Sequence, residues 1–156
     1  MIAMKLARHY KGEFRLTKAG QALTGHPGRI FGTAVPFFLF RINHASMSRF
    51  DDAPILGNWD AFLNVLNIET EDGATGAHLR RVLFGEPEAG PVLHYDDVMG
   101  QLYIQVLRPL CWAGLLQQER GTPSYRFEDA VFMKTPLWRA ALWLETDGMV
   151  RGATRH

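Results

Sequence analysis

The chain has 156 residues, of which 17 are basic, 16 are acidic and 47% are apolar, so its formal net charge is only +1. This composition is typical of a folded domain with a buried core, and it excludes disordered, fibrous and uniformly basic proteins. A single cysteine, Cys111, excludes an internal disulfide framework and a multi-cysteine zinc site. The sequence contains no pattern typical of a signal peptide and no apolar run of membrane-spanning length, so it predicts a cytoplasmic protein that does not bind a membrane.

Charge is segregated along the chain. Residues 1–49 carry eight basic side chains and one acidic side chain, a balance of +7. Residues 50–97 carry two basic and ten acidic side chains, a balance of −8. This asymmetry predicts either two faces that attract each other or two surfaces that bind different partners.

The basic first third of the chain is predicted to form a β-hairpin followed by helices. Apolar and polar residues alternate on both sides of Gly12, which supplies the turn. Thr17 is predicted to cap a short helix that runs through Leu23. Residues 30–43 are predicted to form a buried helix that is kinked, or begins again, at Pro36.

From residue 55 onward the apolar residues recur with helical spacing. They predict helices over residues 55–68, 75–84 and 96–112, the second of them capped by Thr75. Because Pro109 has no N–H to donate, the third helix is expected to bend or end about two residues before it.

A second hairpin and a last helix follow. Residues 115–119 are predicted to pair with residues 125–127. Residues 131–133 are predicted to extend the second of these two arms. A threonine cap and a proline in the first turn predict a helix over residues 135–145. Residues 147–156 are expected to be a flexible tail.

The order of these elements over residues 55–146 resembles the winged-helix superfamily, whose second and third helices form a helix-turn-helix and whose hairpin is the wing. Trp112-Ala113-Gly114-Leu115-Leu116 is similar to the end of the third helix and the first wing strand. Phe132-Met133-Lys134-Thr135-Pro136-Leu137 is similar to the strand, Thr-Pro-Leu and helix that close the wing in many bacterial members, which usually continue with glycine where this chain has Trp138. The resemblance covers about three fifths of the chain and implies a mainly α fold with small β-hairpins (α+β).

A fainter copy of the same pattern lies at the start of the chain. Residues 14–23 also run from a hairpin arm through threonine into an alanine-rich helix, and here the glycine is present, as Gly20. Residues 1–49 are therefore expected to be the end of a preceding winged-helix unit, in the C-terminal part of a longer protein. Some bacterial proteins have C-terminal regions with winged-helix-like repeats that resemble this arrangement.

Two surfaces are candidates for nucleic-acid binding. Glutamine and arginine at positions i, i+4 and i+7 of the third helix have the chemistry that reads base edges, although neighbouring acidic residues favour a solvated face instead. The basic hairpin could follow a phosphate backbone, or its cations could protect the strand edge or pair with the acidic block. These candidate residues are Gln101, Gln105 and Arg108 on the helix, and Lys5, Arg8, Lys11, Arg15 and Lys18 on the hairpin.

The aromatic residues form two groups that are either core or an interaction surface used for dimerisation. The candidates for that surface are Phe37, Phe38, Phe40, Trp138 and Trp143.

No residues form a catalytic constellation, a phosphate loop or a complete metal site, since His94, Asp96 and Asp97 are adjacent and no fourth ligand is suggested. No enzyme activity, cofactor or metal is therefore predicted. The sequence favours a non-catalytic interaction module that binds a protein partner or a second copy of the chain. The alternative is a DNA-binding transcriptional regulator or a plasmid- or chromosome-associated protein.

Overall fold

A computed structural model describes residues 1–47, 54–86, 97–119 and 126–153. The chain divides into an N-terminal unit, residues 1–42, and a C-terminal unit, residues 43–156. Helices dominate the described residues, whose β-structure consists of one two-stranded and one three-stranded antiparallel sheet. The predicted α+β fold class is confirmed.

The N-terminal unit contains the predicted hairpin. Strands β1 (Ala7–Tyr10) and β2 (Glu13–Leu16) are antiparallel, with Ala7 opposite Leu16 and Tyr10 opposite Glu13. The two-residue turn has φ of 50° at Lys11 and 79° at Gly12, and two successive positive values are what a tight hairpin turn of this twist requires. The first strand begins later than the alternation suggested, because residues 2–5 form a turn closed by the Lys5 amide and the Ile2 carbonyl at 2.8 Å.

Two helices complete this unit, α1 (Lys18–Gln21) and α2 (Pro27–Arg41). Thr17 caps α1 as predicted, since its hydroxyl accepts a hydrogen bond from the Gly20 amide at 3.2 Å. Helix α2 runs without a break through Pro36, so a second helix start at that residue is wrong. The prediction of a buried helix is also wrong for most of α2, because only its Leu39 is fully buried.

The C-terminal unit begins with a 3-10 turn, His44–Met47, and two helices, α3 (Trp59–Glu69) and α4 (Gly76–Phe84). Asn58 caps α3 by accepting a hydrogen bond from the Ala61 amide at 2.8 Å. Thr75 caps α4 as predicted and accepts from the His78 amide at 3.2 Å.

A long third helix follows in three parts, α5 (Asp97–Leu102), a π-helical segment (Tyr103–Leu107) and α6 (Arg108–Trp112). The expected early end before Pro109 is wrong, because the helix continues through it. In the π segment the Arg108 amide donates to the Tyr103 carbonyl, five residues earlier. The π-helical turns, which are wider than those of an α-helix, lie directly before Pro109, whose nitrogen cannot donate to the carbonyl four residues earlier.

The three-stranded sheet consists of β3 (Ala74–Thr75), β4 (Leu116–Gln118) and β5 (Val131–Lys134), with β5 in the centre. The predicted second hairpin is thus present, but its returning arm is β5. Residues 126–129 form a turn instead of a strand, and Tyr125 lies outside the described residues. Strand β3, which the sequence did not predict, pairs with β5 and ties the start of α4 to the hairpin.

Two short helices end the described chain, α7 (Pro136–Ala141) and α8 (Asp147–Ala153). Thr135 caps α7 as predicted, but α7 ends four residues earlier than expected. The flexible tail predicted from residue 147 is wrong over α8, where Val150 is buried. The core of the unit is formed by apolar side chains from α3, α4, the long third helix, the sheet, the residue before β4, and α7: Phe62, Leu63, Leu66, Leu79, Leu102, Leu107, Leu110, Leu115, Phe132 and Trp138.

Among the helices of the described residues, none has the length and apolar content needed to cross a membrane.

Candidate functional site

The hairpin gathers three cationic side chains around one aromatic ring. Arg8 lies directly opposite Arg15, and Tyr10 follows Arg8 by two residues, so all three side chains belong to one face of the ribbon. The guanidinium carbons of Arg8 and Arg15 lie 5.5 and 5.1 Å from the centre of the Tyr10 ring, and Lys11 Nζ lies 5.5 Å from it. We call these four residues the Tyr10 cluster. Each of its cations is within the range of a cation–π interaction.

The other two predicted cations lie at the base of the hairpin. The Lys5 carbonyl accepts a hydrogen bond from the Thr17 hydroxyl at 2.8 Å, and Lys18 directly follows Thr17. Both side chains are exposed. The structure therefore brings Arg8, Lys11 and Arg15 together at the ring, whereas Lys5 and Lys18 lie at the base of the hairpin.

One acidic side chain, Glu13, partly neutralises the positive charge of the Tyr10 cluster. Glu13 Oε2 lies 2.7 Å from Arg15 Nη2 and accepts from Arg15 Nε at 2.8 Å. Both partners are more than half exposed, so the pair contributes little to stability.

The opposite face of the hairpin is apolar. His9 and Phe14 are cross-strand partners whose rings meet edge to face with centroids 5.6 Å apart. Phe14 remains 53% exposed and Leu16 39% exposed, whereas Ala7 is buried. The ribbon therefore has one cationic face and one partly exposed apolar face.

The predicted base-reading face of the third helix is not formed as expected. Gln105 is 7% exposed, and its Oε1 accepts a hydrogen bond from the Ile55 amide at 3.0 Å. The prediction assumed a regular helix, but the π segment contains more residues per turn and rotates Gln105 inward. Gln101 and Arg108 are half-buried.

Arg108 instead belongs to a pair that the sequence reading missed. Its guanidinium carbon lies 4.8 Å from the centre of the Trp112 ring, and Trp112 is 60% exposed. The two residues are four positions apart in the sequence, a spacing that places side chains side by side on a helix and could have revealed the pair.

The five predicted interaction aromatics have different environments. Trp138 is 1% exposed and donates from Nε1 to Asn67 Oδ1 at 2.9 Å, so its assignment to an interaction surface is wrong. Trp138 lies in the core because Thr135, the N-cap residue of α7, starts that helix against the sheet. Trp143 follows the end of α7 and is 94% exposed. The three phenylalanines lie on α2, where Phe40 is 48% exposed and the other two, Phe37 and Phe38, are half-buried.

A buried polar cluster lies between α3, β5 and α7. Lys134 Nζ, on a side chain that is 6% exposed, donates to the Asn67 carbonyl at 2.6 Å and also contacts the Glu71 carboxylate. Arg139 contacts the same carboxylate from the solvent side. All of these partners belong to the C-terminal unit, so the cluster stabilises the fold of that unit.

Glu71 makes the stability of the protein depend on pH. Burial raises the pKa of its carboxyl, but the hydrogen bonds and positive charges of Lys134 and Arg139 outweigh burial and hold that pKa below the ordinary value of 4.5. A carboxyl with a lowered pKa stabilises the fold above its ordinary pKa and loses that contribution as the pH falls through the lowered value.

We therefore expect the free energy of unfolding to fall as the pH decreases below about 4.5, and Glu71→Gln to reduce this slope. Urea denaturation of the wild type and of the Glu71→Gln variant at a series of pH values measures this pH dependence. The matched control is Glu13→Gln, which removes a carboxylate from an exposed pair. An equal reduction of the slope by both variants would contradict the role of Glu71.

Cys111 is half-buried, and burial raises the pKa of its thiol to about 11, an effect that a hydrogen bond with the Gln118 backbone only partly offsets. The thiol is therefore protonated at neutral pH and a poor nucleophile. Among the described residues, no group of three or more histidine, cysteine, aspartate or glutamate side chains is placed to hold a metal ion. Of the three adjacent residues from which the sequence predicted no metal site, His94 and Asp96 lie outside the described residues.

The helices and sheet of the C-terminal unit define a small α+β domain in which a hairpin and one short extra strand join the helical layer. The chain belongs to the family described as the y4jL C-terminal domain, whose model matches residues 48–136. No curated protein and no solved structure matches the chain.

Proposed function

We propose that residues 55–146 form a non-catalytic, winged-helix-like module that binds a protein partner. The order of elements supports this assignment: α3, the strand β3, α4, the long third helix, and then the hairpin of β4 and β5. Pairing of β3 with the hairpin gives the module a rigid sheet edge, and rigid elements are suited to presenting a binding surface.

The Arg108–Trp112 pair is the observation that carries the proposal. Tryptophan and arginine are enriched among the residues that contribute most to protein–protein binding energy. Here the indole is 60% exposed, and the guanidinium carbon of Arg108 lies 4.8 Å from the centre of its ring. An ordered, exposed aromatic side chain costs little entropy when a partner covers it.

DNA reading by the same helix is less well supported. Gln105 is buried and hydrogen-bonded to the backbone of Ile55, so it is not available to a base edge. The helix also begins with an exposed aspartate, Asp97, which repels phosphate. A protein surface is therefore the partner that fits the third helix better.

Replacing Trp112 with alanine tests the proposal. Loss of such an anchor is expected to weaken binding by about 2 kcal/mol, or about thirtyfold in Kd. Sedimentation velocity at a series of protein concentrations first establishes whether a second copy is the partner. If the chain is monomeric, partners retained by the immobilised chain are identified, purified and titrated against wild type and variant.

The control is Leu56→Ala, which truncates another exposed apolar side chain, 83% accessible, in the same unit. A bound protein that is lost from the Trp112 variant but kept by the Leu56 variant supports the proposal. Equal binding by wild type and both variants, or retention of nucleic acid alone, would overturn it. Trp143→Ala tests in the same way whether the second exposed tryptophan belongs to this surface.

The alternative, a DNA-binding regulator or a plasmid- or chromosome-associated protein, is favoured by one observation. The cations of the Tyr10 cluster lie on an exposed ribbon in the N-terminal unit. In this alternative the hairpin positions the protein on DNA, and the half-buried Gln101 and Arg108 are the remaining candidate base contacts.

A further inference from the structure

We infer that the Tyr10 cluster is a binding site for the phosphate backbone of nucleic acid, independent of base sequence and of the Trp112 surface.

The register places two like charges directly opposite each other. Arg8 pairs with Arg15 across the strands, and like charges in such a position destabilise a hairpin. The Tyr10 ring offsets part of this cost, because both guanidinium groups lie within 5.5 Å of its centre. Protection of a strand edge needs only isolated charges, so the close pairing of arginines indicates a ligand that bears negative charge.

The unit lacks the acidic side chains that would neutralise the cluster. Residues 1–42 contain seven basic side chains and one acidic side chain, Glu13, which is already paired with Arg15. Arg8 and Lys11 are held instead by the π-electrons of the Tyr10 ring, which orient a cation without cancelling its charge. The cluster therefore retains a positive charge that is ordered before any ligand binds.

The arrangement fits a phosphodiester chain. Duplex DNA carries about one negative charge per 1.7 Å of its axis, and a compact group of cations releases counterions from it. The guanidinium groups can donate two hydrogen bonds to one phosphate, and the exposed Lys5 and Lys18 extend the charge along the ribbon. Contacts to phosphate carry no information about the bases, so we expect the affinity to depend little on sequence.

The test is fluorescence anisotropy with the full chain and labelled random-sequence DNA, as a duplex and as the single strand, over a series of salt concentrations. Both probes offer the same phosphate chemistry, and their relative affinities show which form the ribbon prefers. We expect log K to fall linearly with log salt, with a slope of about −2 to −3 for the duplex if two or three phosphates are contacted.

The double variant Arg8→Gln/Lys11→Gln should weaken binding at least tenfold at about 0.1 M salt and reduce the size of the slope by about two. The matched control is Arg29→Gln/Arg41→Gln, which removes the same charge from exposed residues of α2 in the same unit. Tyr10→Phe, which keeps the ring, should bind as wild type does, whereas Tyr10→Leu should bind severalfold more weakly. Circular dichroism verifies that each variant is folded.

Absence of binding to both probes at low salt would overturn the inference. An equal loss of affinity in the hairpin and α2 double variants would also overturn it, because binding would then reflect net charge instead of a site. Trp112→Ala should leave DNA binding unchanged. The failure of this inference and the failure of the proposed protein-binding function are thus separate results.

Discussion

Replacing Asn67 with alanine is expected to lower the free energy of unfolding by about 3 kcal/mol. The side chain is 1% exposed, and its Nδ2 donates to Thr146 Oγ1 at 2.9 Å and to Asp147 Oδ1 at 3.1 Å. Its Oδ1 accepts from Trp138 Nε1 at 2.9 Å and from Lys134 Nζ at 3.1 Å. Alanine cannot replace these bonds, so a buried indole N–H and a buried ammonium group each lose an acceptor.

Urea denaturation of wild type and variant measures the difference. The control is Ile68→Ala at the next position of the same helix, where the side chain is 41% exposed and the expected loss is within about 1 kcal/mol. A loss no larger at Asn67 than at Ile68 would contradict the hydrogen-bond argument. Proteolysis that begins within α8 in the Asn67 variant would further show that this side chain attaches α8 to the domain.

Gly76→Ala is expected to cost about 2 to 3 kcal/mol, for steric reasons. A Cβ at this position would lie 2.3 Å from the Phe127 carbonyl oxygen and 2.8 Å from Met99 Cε. The methionine can move, but the carbonyl belongs to the turn before β5. The Gly76 amide donates to the Ala130 carbonyl at 3.0 Å, so moving the turn would weaken the attachment of β3 and α4 to the sheet.

The matched control for this substitution is Gly32→Ala, inside α2, where a Cβ would meet nothing within 4 Å. Alanine is the better helix former, so this variant should be more stable than wild type by about 0.5 to 1 kcal/mol. Thermal unfolding of both variants gives opposite expected shifts of Tm. A Gly76 variant as stable as wild type would show that the turn can move without cost.

Features specified by a few neighbouring residues could be predicted from the sequence. The caps at Thr17, Thr75 and Thr135 each depend on a hydroxyl and an amide two or three residues later, and all three are confirmed. The first hairpin is local in the same way, because the Lys11-Gly12 turn sets its register.

Features that depend on distant residues could not be predicted. Helix α8 was expected to be a flexible tail, yet its start is bound to Asn67, 80 residues earlier. The inward position of Gln105 depends on the π segment and on the Ile55 amide, 50 residues away. Regular helical geometry, which the prediction assumed, assigns such a residue to the wrong face.

The candidate sites were predicted in part. All five cations proposed for the hairpin were named from the sequence, and three of them converge on one ring. Tyr10 was not among these candidates, because its place on the same face as Arg8 follows only from the register of the hairpin. For Trp112 the signal was present in its spacing from Arg108, but Trp112 was not among the candidate site residues.

The central position of β5 determines when the two sheets can form as the chain is synthesised. Both neighbours of β5 precede it in the sequence, β3 by more than 50 residues, and neither is paired with the other. A nascent chain that ends before Val131 therefore contains β3 and β4 but lacks β5, with which both of them pair. The first hairpin, by contrast, closes within ten residues. The N-terminal ribbon can form long before the C-terminal sheet, which must wait for almost the whole domain to leave the ribosome.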